Sequence, residues 1–317
     1  MKKILSTIVI ALLLIPMIGL SEGTQYSLTT GLPTDKAYKP MVVSLDNHSD
    51  ARPQVNIGMA DVVYESVIQS DGYTRYLAVF NDEIPDVVEA VRSIRLLHAE
   101  QYLEWGGALV HHGQQEPPET NPVVYLQGFE VAARFNGLSD KHFSRSKRAA
   151  PHNSIADLAA MYSATPDVTP RGPLKFSAEA PSVHGEDVGE FKITYRKNCA
   201  PLYRYNADED VYYRFYDGEN PFVDRTTNAQ LKYSNVIVMN AEYSYYANDG
   251  TRPLAKLVGS NTCDYFIGGK HFTGSWSRAS ADSNTVYVDD AGNEVLLNPG
   301  KTFIQVLSNG AGLEITG

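Results

Sequence analysis

Between Pro40 and Arg95 the chain sets polar and charged residues beside short apolar stretches: Asp46-Asn47-His48, Ala51-Arg52-Pro53-Gln54, Ala60-Asp61-Val62-Val63-Tyr64-Glu65, Thr74-Arg75-Tyr76 and Val91-Arg92-Ser93-Ile94-Arg95. Two carboxylates (Asp46, Glu65), three arginines (Arg75, Arg92, Arg95) and the polar Asn47, Arg52 and Ser93 make the candidate site. Paired guanidiniums at a helix start suit an anion, carboxylate or phosphate. Two other readings compete. The charges can neutralise one another as scaffold, or Glu65 or Asp46 can act as general acid or base, assisted by His111 or His112.

No motif names a reaction. A phosphate loop, a dinucleotide fingerprint, His-Glu-x-x-His and paired Cys-x-x-Cys are all absent from the sequence, so no cofactor and no metal are expected. Six of the eight histidines fall in the first half, yet none has ligand spacing. Adjacent His111 and His112 would point to opposite faces of a strand, as a hydrogen-bonded pair rather than one site. Gly19-Leu20-Ser21-Glu22-Gly23 fits the nucleophile-elbow pattern, but it lies at the end of the leading apolar run, without the strand and helix an elbow needs. Asn206, Asp208 and Asp210 alternate like calcium ligands, but Val211 stands where such a loop requires glycine, which leaves an acidic turn.

The elements around the candidate site read as mixed α/β. Met41–Leu45 reads as a buried strand, Asp61–Gln69 and Thr74–Phe80 as a hairpin turning at Ser70-Asp71-Gly72-Tyr73, and Ala108–His112 as a further strand. The spacing of Ile94, Leu97, His98 and Tyr102 predicts a helix over Ser93–Trp105, with Ser93 as N-cap and Arg92 and Arg95 on one face. Asn153–Tyr162 reads as a short helix capped by Asn153. The second half reads as β-rich and antiparallel, with strands at Glu190–Arg196, Leu202–Tyr205, Val211–Tyr216, Asn235–Met239, Asp264–Ile267, Lys270–Trp276, Thr285–Val288 and Lys301–Leu307. The fold class expected is therefore α+β. Residues 39–165 would form a mixed α/β N-terminal domain and residues 185–317 an antiparallel β-rich C-terminal domain. A proline-rich linker, 166–184, would join them, and 24–38 would be a polar leader.

Lys2 and Lys3, the uncharged apolar run Ile4–Leu20 and the small residues after it read as a signal peptide over residues 1–23. An extracytoplasmic protein follows, with an uncleaved anchor as the alternative, and no later segment of the chain spans a membrane. A formal charge of −10 argues against nucleic acid as a partner. Cys199 and Cys263 permit one disulfide or two buried thiols. The basic stretch Arg134, Lys141, Arg145, Lys147 and Arg148 could touch an anionic wall polymer, although a solvated loop is the commoner outcome. Twelve of the 20 tyrosines, among them Tyr203, Tyr212, Tyr245 and Tyr246, lie after the linker, where strand packing explains them better than ligand stacking.

The motifs between Asp46 and Arg95, followed by Gly268-Gly269-Lys270, Gly274-Ser275-Trp276 and Leu297-Asn298-Pro299-Gly300-Lys301-Thr302-Phe303, resemble those of the YerB-like family of predicted bacterial lipoproteins, whose function is unknown. The resemblance covers most of residues 38–308. It implies an exported envelope protein with an N-terminal and a smaller C-terminal domain, and it supplies no activity. The acylated cysteine of a lipoprotein is missing from this sequence. Three functions stay open: binding an anionic wall-derived ligand or a wall-synthesis partner, hydrolysis of cell-wall material, and a structural protein-interaction module.

Overall fold

A computed structural model describes residues 24–246, 249–308 and 311–316. The signal peptide expected over residues 1–23 lies outside the described residues.

The chain is strand-rich, and its centre is one mixed sheet. Across the sheet the strands run Val286–Asp289, Lys270–Arg278, Gly259–Ile267, Asn235–Ala241, Thr302–Ser308, Val62–Val67, Thr74–Phe80, Met41–Asp46, Ala108–His111 and Ala133–Asn136. Strands from both halves of the sequence therefore share a single hydrogen-bonded surface. The join is Thr302–Ser308, which pairs in parallel with Val62–Val67 on one side and with Asn235–Ala241 on the other. This corrects the expectation of a purely antiparallel second half. The first half is also poorer in helix than an α/β reading requires, with Leu96–Trp105, Pro122–Leu126 and Leu158–Ala164 as its α-helices among the described residues.

Central strands covered on both faces read as near-continuous apolar runs, and Met41–Asp46, Val62–Val67 and Thr74–Phe80 are buried at every position. Alternation then sorts the side chains. Val43, Leu45, Tyr76, Ala78 and Phe303 pack with Phe191, Tyr203 and Tyr212 of a smaller antiparallel sheet. Val42, Leu77, Val79 and Ile304 pack with Leu97, Tyr102 and Trp105 of the Leu96–Trp105 helix. The expected hairpin forms, with Val62–Val67 antiparallel to Thr74–Phe80. Strands form at all eight positions read in the second half, with ends shifted by a few residues.

Two helix boundaries differ from the expectation. The first helix begins at Leu96, with Arg95 as N-cap, its backbone N–H bonded to His98 Nδ1 at 2.9 Å. Ser93 does not cap it: its Oγ donates to His112 O, while the Arg92 and Ile94 N–H groups donate to Ser44 O and Gly113 O. These tertiary bonds hold 92–94 extended, so Arg92 and Arg95 do not share a helix face. Similarly, Ser154–Asp157 is a strand paired with Val87–Glu89 and Phe143–Arg145. The helix after it is capped by Asp157, whose side chain accepts from Ala160 N.

Both cysteines are buried free thiols, which decides the open alternative against a disulfide. The segment read as a polar leader is anchored rather than loose. Ser27, Thr29 and Thr30 are buried; Ser27 and Thr30 donate to Asp82, and Thr29 Oγ1 donates to Asp61 Oδ2 at 2.8 Å. Burial, with the charge of Asp82 beside it, pushes the Asp61 carboxyl up to about 7.

A carboxyl whose folded-state pKa is raised binds its proton more tightly in the folded chain. Its contribution therefore weakens as pH rises from about 4 to about 7. His98 and His111, whose pKa values burial lowers, contribute the opposite slope over part of that range. A difference curve isolates Asp61. Asp61→Asn keeps an acceptor for the Asn81 and Asp82 N–H groups, and wild type should lose up to about 4 kcal/mol relative to it between pH 4 and pH 8. Urea unfolding across that range checks this; parallel curves would show that Asp61 is not the group responsible.

Candidate functional site

The structure divides the expected site residues into two groups lying on either side of the Thr74–Arg75 strand start. The first group is closed. Glu65 is 0% exposed and Arg214, from the Val211–Asp217 strand, is 1% exposed; they meet at 2.6 Å. Glu65 Oε1 also accepts from Asn47 Nδ2 at 2.9 Å and from Thr74 Oγ1 at 2.7 Å, and Glu65 Oε2 accepts from Gln305 Nε2 at 3.2 Å. Asn47 Oδ1 in turn accepts from Tyr76 OH and from Arg52 Nε. The Arg214 guanidinium lies against Phe222, Phe303, Tyr76 and Tyr203, with ring centroids 4.3–5.9 Å away. Such a cage favours a cation that cannot reach water. Glu65, Asn47 and Arg52 thus face one another and the second half of the chain.

The second group is open. Asp46, His48, Tyr73, Arg75, Arg92 and His152 line a cleft of about 250 Å³. Asp46 ends the Met41–Asp46 strand directly across from Arg75 on Thr74–Phe80. Arg92 Nε lies 2.9 Å and His152 Nδ1 2.8 Å from Asp46 Oδ2, and the His48 N–H donates to Asp46 Oδ1 at 3.1 Å. Burial works to raise the Asp46 carboxyl, but the Arg75 and Arg92 guanidiniums, with His152 and the His48 N–H, hold it below the ordinary aspartate value.

Arg75 has no carboxylate within ion-pair distance among the described residues, whereas Arg92 is paired with Asp46, although its Nε too makes no hydrogen bond. Arg75 is 4% exposed, its Nη1 donates to Ser93 O, and its Nε is buried without a partner. Burial pushes its pKa down to about 9, and the positive charges of Arg95 and Arg92 add to the depression while Asp46 opposes it. Arg95 sits outside the cleft lining, near Asp249 and Arg252, and its Nε is also buried without a partner. Asp46 is the one carboxylate in the cleft lining, against two arginines. A buried donor left unpaired costs about 1–3 kcal/mol, more when charged, so an arriving anion would relieve both the hydrogen-bond deficit and the repulsion.

The groups expected to perform acid–base chemistry are placed elsewhere or poised wrongly. Glu65 is sealed from solvent, and Asp46 is held ionised. His111 is buried with its Nδ1 on Gly113 O, and its pKa is driven down to about 4 by burial. His112 bonds Ser154 Oγ and Arg145. Of the basic stretch, Arg148 is locked onto Glu89 and the carbonyls of Ala51 and Pro53. Tyr203 and Tyr212 are core residues, while Tyr245 and Tyr246 are exposed. A larger, more apolar hollow of about 540 Å³ is lined by Met59, Leu231 and Tyr233, but its two lysines are already engaged, Lys301 by Gly58 O and Lys232 by Glu209. The smaller cleft is therefore the better candidate.

Sequence reasoning missed Arg214 and His152. Arg214 carried a signal: it occupies an inward position of an alternating strand, in step with buried Tyr212. His152 carried none, since it meets Asp46 across 106 positions of sequence.

Comparison with known proteins now bears on this geometry. The N-terminal domain described as a protein of unknown function (DUF3048) matches residues 29–171, and the C-terminal domain of the same description matches residues 191–304. The chain belongs to the DUF3048 family. Both groups of polar residues draw on the first DUF3048 segment, and Arg214 is supplied by the second. Among relatives, the protein named "Putative lipoprotein YerB" from Bacillus subtilis (strain 168) is 26% identical over 293 residues, covering 88% of this chain and 85% of its own. The crystal structure of the Bacillus subtilis YerB protein superposes with a TM-score of 0.78 at 25% identity, covering 92% of this chain and 99% of that one. The resemblance read from the motifs is thus confirmed. No helix among the described residues is long and apolar enough to cross a membrane.

Proposed function

We propose that this DUF3048 protein is an exported cell-envelope protein whose cleft at Asp46, Arg75, Arg92 and His152 binds an anionic group. The group would be a carboxylate or phosphate of a wall-derived ligand or of a wall-synthesis partner. One observation carries the reading: buried Arg75, with an unpartnered Nε, borders an open cleft that holds a second arginine and a single carboxylate. Arg75 and Arg92 are the anion contacts; Asp46 and His152 set their geometry. Arg95 contributes positive potential from behind Arg75. Asn47, Arg52 and Glu65 act indirectly, by fixing Thr74 and the strand that carries Arg75. Ser93 acts through its carbonyl, which orients the Arg75 guanidinium.

The envelope setting rests on the Lys2–Leu20 pattern and on the name of the Bacillus subtilis relative. Lipid anchoring is not carried over, because Cys199 and Cys263 are the cysteines of this sequence and both are buried.

Co-sedimentation with purified wall fragments and with solubilised membrane extract tests the proposal. Arg92→Ala, which keeps the closed Glu65–Arg214 network intact, should lower the bound fraction severalfold. Unchanged binding to both preparations would remove the reading's main support.

A further inference from the structure

At the rim of the same cleft, His48, Asp50 and His152 each offer one ligand atom, and these three atoms lie within 4.8 Å of one another. They come from two loops. His48 and Asp50 belong to the turn that leaves the Met41–Asp46 strand, and His152 to the connection entering Ser154–Asp157. No ligand spacing marks the site in the sequence, because His152 follows Asp50 by 102 positions.

Three features distinguish this group from a chance meeting of polar side chains. First, the His152 tautomer is fixed. Asp46, paired with Arg92 and taking the His48 N–H, is a carboxylate that can only accept, so His152 Nδ1 at 2.8 Å must carry the hydrogen. In the neutral ring the lone pair is then at Nε2. A carboxylate behind an imidazole is the outer-shell arrangement that orients metal-binding histidines and raises their basicity. Second, His48 is held in place by stacking between His152, at 4.5 Å and 19°, and Tyr73, at 5.7 Å and 15°. Its Nδ1 is engaged by a 3.2 Å bond from the Asp50 N–H, the one bond a metal would have to displace. Third, the spacing suits a small ion. His48 Nδ1 and Asp50 Oδ2 are 3.7 Å apart. Two donors about 2.0–2.1 Å from a tetrahedral zinc lie about 3.3 Å apart, so this pair closes by a few tenths of an ångström and the most widely spaced pair, within 4.8 Å, by at most about 1.5 Å.

We infer that His48, Asp50 and His152 form a binding site for a divalent transition metal of the zinc class, with its fourth position open to the cleft. Two imidazoles and a carboxylate are the donor set of open zinc sites. His48 and His152 line the same cleft as Arg75 and Arg92, so an anion bound there would be placed to complete the coordination. That last clause rests on the anion reading of the cleft; the three-residue site does not.

Zinc titration of the untagged protein against a chromophoric chelator, without phosphate, tests the inference. Wild type should take up one equivalent in competition with the chelator. His152→Ala and His48→Ala should weaken it by more than the roughly 10–100-fold that loss of an outer-shell partner costs. Lys256→Ala, at an exposed position outside the cleft lining, should keep the one-equivalent stoichiometry. Asp50 is largely exposed, so Asp50→Asn decides the matter should a histidine variant fail to fold, as judged by circular dichroism in the metal-free state. The absence of saturable uptake in wild type, or an affinity unchanged in Asp50→Asn and in a folded histidine variant, would overturn the site. Phosphate binding measured in the presence of EDTA reports on the anion reading separately, so the two can fail independently.

Discussion

Replacing Arg214 with methionine lowers the free energy of unfolding by about 3–5 kcal/mol. The cost arises less from the lost contact than from what stays behind. Glu65 would remain fully buried, with Asn47, Thr74 and Gln305 as neutral donors but no countercharge. An unpaired carboxylate in such surroundings must be protonated or opened to water, and both weaken the fold. Because Arg214 comes from the smaller sheet and Glu65 from the strand that pairs with Thr302–Ser308, the loss falls where the two DUF3048 segments meet. Removing both charges separates the explanations. Glu65→Gln with Arg214→Met removes both charges of this pair, and it should recover most of the stability, since apolar replacement of a whole buried pair is often neutral or better. Chemical denaturation of the three proteins measures this. A double variant as unstable as Arg214→Met would show that packing in the aromatic cage, rather than charge, is what Arg214 supplies.

Arg75→Met weakens the binding of inorganic phosphate by roughly 10–100-fold, the effect of about 1.5–3 kcal/mol for a hydrogen bond to a charged group. The side chain is nearly isosteric in its stem, so the neighbouring strand packing persists while the unpaired Nε and its charge are removed. Two contributions add: the lost donor and the lost field, the latter unusually large because Arg75 already stands against Arg92 and Arg95 with Asp46 as its nearby countercharge. The folded protein should also gain stability in the absence of ligand, since a buried, partly unsatisfied cation has been removed. Opposite signs for affinity and stability are the mark of a site held ready for a ligand. A structural role alone would lower both. Calorimetric titration alongside thermal unfolding reads the two signs.

Local pattern was enough to find most strands and the hairpin that carries the site, because β-branched and aromatic residues in alternation report burial directly. What it could not supply was partnership across long separations. Thr302–Ser308 reads as a strand from its own residues, but nothing in them says that it lies in parallel between Val62–Val67 and Asn235–Ala241. The same limit merged two sites into one in expectation. Asp46 and Glu65 lie on neighbouring motifs and read as one set, yet one faces a cleft with His152 and the other is closed by Arg214. The start of the first helix was misplaced for a related reason. Ser93 has the chemistry of a cap, but long-range bonds to Ser44 and Gly113 claim the residues on either side of it and keep the segment extended.

The central claim is that the Asp46–Arg75–Arg92–His152 cleft is an anion receptor, and a crystal structure of the protein grown with phosphate tests it most directly. The account predicts a phosphate in the cleft, with Arg75 and Arg92 donating to its oxygens and Asp46 still paired with His152. A cleft filled only by water, with Arg75 Nε turned onto a protein carbonyl, would contradict it and make the charges scaffold.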